Sequence, residues 1–261
     1  MNLVYYTLGF NEVYLKMLYL SIVSLNKYNN IDILVLCDEK LYTKCYQTIG
    51  DIKNVRIETT TGCHDAMSSS MKKLEIFKYD IAKYSKILFV DCDILIHKNL
   101  DDIFEKIADN RLYAYMDEPK FIFHIMPFHS LRDYTGDELI FLYNNNVKVF
   151  NAGLFGFLNN AVMKQHFDNI LEMVENYEGE YYYEQSFMNK YFNLKNLADL
   201  NVITRENCIM NFTMNPKGNK ILSLRNIQQS QAGKIIHFSL AKEVPERKFI
   251  DMFSYYEKYL K

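Results

Sequence analysis

Phe89–His97 reads FVDCDILIH, an apolar run broken by two acids, Asp91 and Asp93. Read as one strand, residues two apart project to the same side, so both carboxylates share a face beside an apolar core. Each then raises the cost of ionising the other. A cation between them removes that cost, and the stretch reads as a metal site. The bland alternative is that the acids end a strand or cap the next helix, and a lone Asp-x-Asp pattern does not separate the two. The flanks do favour a site: ILFV precedes and ILI follows, so the acids interrupt a segment that is otherwise core.

Working outward, the residues before this stretch alternate strand and helix. NLVYYTLG is an apolar strand ending in Gly9, and residues 12–28 carry apolar positions at helical spacing. IDILVLCD has the continuous apolar character of a strand buried on both faces. A helix over 39–49, the strand NVRIETT and a helix over 67–84 follow, with Ser68–Ser70 as caps. This alternation predicts βαβ units and a mostly parallel sheet flanked by helices, an α/β class. In open sheets of this kind ligands bind beyond the carboxyl ends of the strands, and Asp91 and Asp93 fall late in the fourth.

After Asp93 the pattern changes. NLDDIFEKI predicts a short helix and RLYAYMD a strand, whereas 118–146 reads as a long, aromatic, irregular connection. VFNAGLFGFLN predicts a strand, 161–176 and 183–192 helices, KIIHFS a short strand, and the last residues an amphipathic helix. No repeat or linker divides the chain. The expectation is one domain, with a nucleotide-binding half over 1–95, an acceptor and sugar half over 96–246, and a terminal helix over 247–261.

The formal net charge of −2 offers no general affinity for nucleic acid. No apolar run is long enough to cross a membrane, and the first twenty residues lack the order of a signal peptide. The five cysteines form no CxxC pair. Free thiols in a reducing, cytoplasmic compartment are the expectation.

Haloacid-dehalogenase-like phosphatases also place Asp-x-Asp after an apolar strand, but that pattern continues into small or hydroxylated residues. Here Ile94 and Leu95 follow, and about ninety residues of α/β pattern come first. Five segments in order instead resemble the family 8 glycosyltransferases, the glycogenin and bacterial galactosyltransferase group with a GT-A fold. They are YTLGFNEVYLKMLYLSIVSL, the block from KKLEIF to DDIF, FNAGLFGF, YYYEQSFMNKYF and IIHFSLAK. The resemblance covers roughly residues 1–245 and implies a Rossmann-like single domain that moves a hexose from a UDP-sugar with retention of configuration.

That resemblance implies roles. Thr7, Leu8 and Tyr14 would cradle the uracil, and Lys73 would stand on the phosphate side. Asp91, Asp93 and His237 would hold the metal, with Cys92 between the acids beside the nucleotide. Asn151, Ala152 and Gly153 would line the donor sugar, and Glu184 and Gln185 would flank the anomeric carbon. Two carboxylates with an imidazole favour Mn²⁺, with Mg²⁺ as the alternative ion. Two positions depart from the family: Leu240 stands where a glycine is usual and Glu243 where a lysine is usual, leaving Lys242, one residue early, as the substitute phosphate contact. The acceptor (glycan, lipid or protein) and any homo-oligomer stay open. A non-catalytic nucleotide-sugar-binding protein on the same fold is the alternative function. His97, His124 and His129 are further candidates near the acceptor.

Overall fold

The structure, a computed structural model, describes residues 1–121, 134–177, 184–209, 234–238 and 245–261. Four strands of the first half lie parallel: β1 (Asn2–Leu8), β2 (Asp32–Asp38), β3 (Val55–Thr60) and β4 (Lys86–Val90). The chain starts in the middle, moves outward to β2 and β3, then returns to lay β4 on the other side of β1. Beyond β4 come β7 (Lys148–Leu158), antiparallel to it, then β6 (Leu112–Phe121) and β8 (Ala198–Asp199). The seven-stranded order is β3-β2-β1-β4-β7-β6-β8. Between β1 and β4 the strand order reverses direction, so a crevice opens at their carboxyl ends.

The pleat sorts β1 into two cores. Val4, Tyr6 and Leu8 face one cluster, and Leu3 and Tyr5 the other. On the first face lie α1 (Glu12–Tyr28), α2 (Tyr42–Ile49) and the terminal helix α8 (Pro245–Tyr259), whose Met252 and Tyr255 are fully buried there. On the second lie α6 (Ala161–Glu175) and α7 (Glu184–Leu194). Asn11 caps α1, accepting from Val13 N at 2.9 Å, and Asn160 caps α6, accepting from Met163 N at 3.0 Å. Proline at the first position of α8 has no N–H to leave unsatisfied.

The predicted parallel α/β sheet is present, with four corrections. First, FVDCDILIH is not one strand. β4 stops at Val90, and β5 (Ile94–Ile96) belongs to a separate three-stranded sheet with β9 (Cys208–Ile209) and β10 (Ile235–His237). Asp91–Asp93 is therefore a turn between two sheets, and it is the turn, not pleat alternation, that brings the acids together. Second, the helix expected over 67–84 is α3 (Ala66–Met71) followed by a 3₁₀ segment, Lys72–Lys78, ending in extended backbone at Tyr79. There Lys73 is buried and its carbonyl accepts from the Tyr5 hydroxyl at 2.9 Å, so tertiary contacts override helical periodicity. Third, α2 starts at Tyr42, not at 39. Fourth, the segment expected to be irregular contains α5 (Gly136–Asn144), opened by a reciprocal cap between Thr135 and Glu138. That Thr-x-x-Glu signature was legible in the sequence. The short helix expected after Asn99 is α4 (Asp101–Lys106).

All five cysteines are buried free thiols. Among the described residues, no helix is long and apolar enough to cross a membrane.

Candidate active site

At the end of β4, Asp91, Asp93 and His237 each offer one ligand atom, all within 4.8 Å of one another. Two elements deliver them, the turn between β4 and β5 and the strand β10. Asp91 begins the turn, its N–H donating to the Gly153 carbonyl at 2.8 Å on β7. Asp93 ends the turn, its carbonyl accepting from Phe238 N at 2.9 Å. His237 ends β10, which pairs antiparallel with β5 and so lies directly opposite Ile94. His237 Nε2 is 3.0 Å from Asp93 Oδ1 and 3.9 Å from Asp91 Oδ2. Among the described residues, its buried Nδ1 has no hydrogen-bond partner.

The floor of the cluster is a bulge in β7. Ala114 pairs with Phe155 but its neighbour Tyr115 with Asn151, so Ala152, Gly153 and Leu154 are extra residues against β6. A Cβ on Gly153 would lie 2.4 Å from His237 Cε1 and 2.6 Å from Asp91 Oδ2. The glycine is therefore required by the close approach of the acid and the imidazole. Asn151 Oδ1 accepts from Gly153 N at 2.8 Å and holds the bulge.

Lys73 ties this floor to α7. Its ammonium is 2.7 Å from Glu184 Oε1, 3.4 Å from Asp91 Oδ1 and 3.1 Å from the Ala152 carbonyl. An ammonium has three donors, and here each meets an acceptor. Burial alone would lower the Lys73 pKa, but Asp91 and Glu184 outweigh it and hold it above the ordinary value. Lys73 thus stays charged, and a phosphate reaching it must replace one of these acceptors. Glu184 is buried with Oε2 unpartnered among the described residues. Gln185 Oε1 accepts from Ala152 N at 3.0 Å, which fixes the side chain against the bulge.

Burial raises the Asp91 pKa, with Lys73 opposing and Asp93 adding to the rise. Burial pushes the same way on Asp93, but there His237 and Lys248 win and hold the carboxyl far below the usual range. Lys248, from the first turns of α8, donates to Asp93 Oδ2 at 2.9 Å. The side chains of Asp91, Asp93, Glu184, Lys73 and Lys248 thus sum to three formal negative and two positive charges, a net −1 apart from His237.

At the crevice, the buried Cys92 thiol donates to the Thr7 carbonyl at 3.2 Å, joining the turn to the end of β1 next to buried Leu8. Burial, with Asp91 and Asp93 alongside, pushes the Cys92 pKa well up, so it stays a thiol. Tyr14, on α1, lies in the field of Lys248, Asp93 and Asp91, and burial pushes its phenol up to about 12. The structure therefore brings together Thr7, Leu8, Tyr14, Lys73, Asp91, Cys92, Asp93, Asn151, Ala152, Gly153, Glu184, Gln185 and His237. It places His97 elsewhere, against Tyr28. Leu240, Lys242, Glu243, His124 and His129 lie outside the described residues.

Three contributors escaped sequence reasoning. Lys248 looks like any helix lysine, and nothing marks its partner 155 residues away. Asn189 accepts from Phe150 N at 3.0 Å and donates to the carbonyls of Phe150 and Gln185, each at 2.9 Å, so it staples α7 to β7. Its signal was present, since Gln185, Asn189 and Asn193 recur at helical spacing among buried aromatics. Phe10, at φ +47° just after Gly9, is an exposed aromatic in the left-handed region, its ring 5.7 Å from that of Tyr14.

The donor set fits a divalent ion. Two carboxylates and an imidazole converge, and Gly153 beside them carries no side chain to crowd them. No family model and no curated protein matches the sequence. Solved structures do match the fold. The galactosyltransferase LgtC, in complex with donor and acceptor sugar analogues, has a TM-score of 0.62 at 17% identity, covering 97% of this chain and 96% of that one. Mouse xyloside xylosyltransferase 1 has a TM-score of 0.55 at 12% identity, covering 94% and 100%. The glycosyltransferase GlyE of Streptococcus pneumoniae has a TM-score of 0.53 at 15% identity, covering 98% and 63%. The chain has the GT-A glycosyltransferase fold expected from the family 8 resemblance.

Proposed function

We propose that this protein is a retaining, metal-dependent glycosyltransferase that moves a hexose from a UDP-sugar to a glycan, lipid or protein acceptor. The observation that carries the reading is the convergence of Asp91, Asp93 and His237 at the carboxyl end of β4, beside the strand-order switch. The glycosyltransferase fold supports it, and the phosphatase alternative has no comparable support. Residues 1–95 would bind the nucleotide, and the second half would supply the sugar and acceptor contacts.

Asp91, Asp93 and His237 would hold Mn²⁺, or Mg²⁺ in its place. The bound ion would neutralise charge gathering on the departing nucleoside diphosphate. Thr7 and Leu8 would present backbone groups to the uracil, and Tyr14, kept protonated, would pack against it. Asn151 and the bulge at Ala152 and Gly153 would lie under the sugar. With one side of Gln185 committed to Ala152 N, its NH₂ group is available to the sugar near the anomeric carbon. Glu184, fixed by Lys73, would offer its unpartnered Oε2 to the same region. The bond from the anomeric carbon to the diphosphate oxygen breaks, and the acceptor hydroxyl bonds to that carbon on the same face. The departing phosphate oxygen takes the hydroxyl proton, so no strong general base is needed. Gln185 would stabilise the oxocarbenium-like centre electrostatically.

The test is a calorimetric titration with UDP, with and without Mn²⁺, on the wild type and on Asp93→Asn, followed by turnover of a panel of UDP-sugars. Mn²⁺-dependent UDP binding that is lost in a folded Asp93→Asn is the expected result. Binding of UDP that ignores both the metal and the substitution refutes the site. Metal-dependent binding with no hydrolysis or transfer of any UDP-sugar would instead favour the non-catalytic binding protein.

A further inference from the structure

Lys248 has no part in the roles above, yet it sits on the more buried acid of the Asp91 and Asp93 pair. Its ammonium lies 2.9 Å from Asp93 Oδ2, while His237 takes Oδ1, so both oxygens of one expected metal ligand are already engaged. The backbone of Lys248 is not free to move, because α8 is anchored through Met252 and Tyr255 in the core it shares with α1. The side chain is different. It has four rotatable carbons, is 15% exposed, and spends one of its three donors on Asp93 among the described residues. Lys73 is the contrast: it is 3% exposed and all three of its donors are engaged.

A divalent ion seated between Asp91 and Asp93 would face this ammonium across a single carboxylate. Two cations stay that close only when another anion joins them. The charges say which kind: the cluster carries a net −1 without metal, a divalent ion takes it to +1, and a diphosphate restores negative balance. We propose that Lys248 is a movable cation of this site. Without metal it is the counter-ion of Asp93; when a divalent ion and a diphosphate are bound together, it leaves Asp93 for a phosphate oxygen. The inference rests on the metal and nucleotide reading above and names the residue that completes it. It assigns the diphosphate contact to α8, in place of the Lys242 that the sequence resemblance suggested.

The test uses the full chain and compares the wild type with Lys248→Met, Lys248→Gln and Lys248→Arg. Mn²⁺ is titrated alone and followed by the electron paramagnetic resonance of the free ion; UDP and uridine are then titrated at saturating Mn²⁺. Removing the competing charge should strengthen Mn²⁺ binding without nucleotide by about fivefold or more, in both Met and Gln variants. The same variants should lose about tenfold or more in UDP affinity, the size of one charge-assisted hydrogen bond, with uridine unchanged. Arginine should recover most of the UDP affinity. The Gln variant keeps a donor for Asp93, so it remains informative if the Met variant unfolds. Unchanged or weaker Mn²⁺ binding in the folded Gln variant overturns the proposal, as does an equal loss for UDP and uridine. A wild type that binds neither Mn²⁺ nor UDP removes the underlying reading, and this one with it.

Discussion

Gly153→Ala changes one methyl group, and the structure says where it goes. The new Cβ would stand 2.4 Å from His237 Cε1, 2.6 Å from Asp91 Oδ2 and 2.9 Å from Asn151 Oδ1, where ordinary contact begins near 3.4 Å. The imidazole must therefore retreat by about 1.0 Å (3.4 less 2.4) and the carboxylate by about 0.8 Å (3.4 less 2.6). Ligand distances in a working metal site hold to about 0.2 Å, so both shifts are several times the tolerance. His237 is 2% exposed and ends a paired strand, which leaves little room for it to recoil as a rigid ring. Overpacking of this kind costs about 1–3 kcal/mol, which lowers Tm by a few degrees and leaves the chain folded. Mn²⁺ affinity, by contrast, should fall by roughly a hundredfold or more. The assay is Mn²⁺ titration beside thermal melting, with Gly156→Ala as the control. There the nearest obstacle is Ile107 Cδ1 at 2.5 Å, the tip of a flexible side chain away from the acids. The control should lose stability and keep its metal. Wild-type Mn²⁺ affinity in a folded Gly153→Ala would refute the assignment of Asp91 and His237 to one site.

Two further outcomes follow from the supports of the site. Lys73→Met leaves Glu184 buried without its partner and should cost about 3–5 kcal/mol, a fall in Tm on the order of 10 °C. Adding Glu184→Gln should recover part of it in melting experiments, and no recovery would mean that the pair is not the source of the loss. Asn189→Ala strips partners from the Phe150 N–H and from two carbonyls between α7 and β7. It should lower unfolding free energy by about 3 kcal/mol or more in urea titration, since each of the three groups left unsatisfied costs about 1–3 kcal/mol. A loss below about 0.5 kcal/mol would mean that water replaces the staple.

The sequence by itself determined the class of the sheet, because short apolar runs such as Asp32–Asp38 alternate with segments of helical spacing, and that order calls for parallel strands covered on both faces. It also marked Asp91 and Asp93, since acids inside an apolar segment are costly unless something needs them, whereas Gly153 and Gln185 were marked only by the resemblance to family 8. What tertiary structure alone decided is how those groups meet. Alternation along FVDCDILIH reached the right pair of acids by the wrong geometry. The chain leaves one sheet at Val90 and enters another at Ile94, and that change depends on pairing with β10, more than 130 residues later in the chain. The 3₁₀ turn that buries Lys73, and the terminal helix that puts Lys248 on Asp93, have the same origin. Local periodicity records which residues leave water. It does not record which distant charge they find there, because that interaction depends on a separation only the folded chain sets.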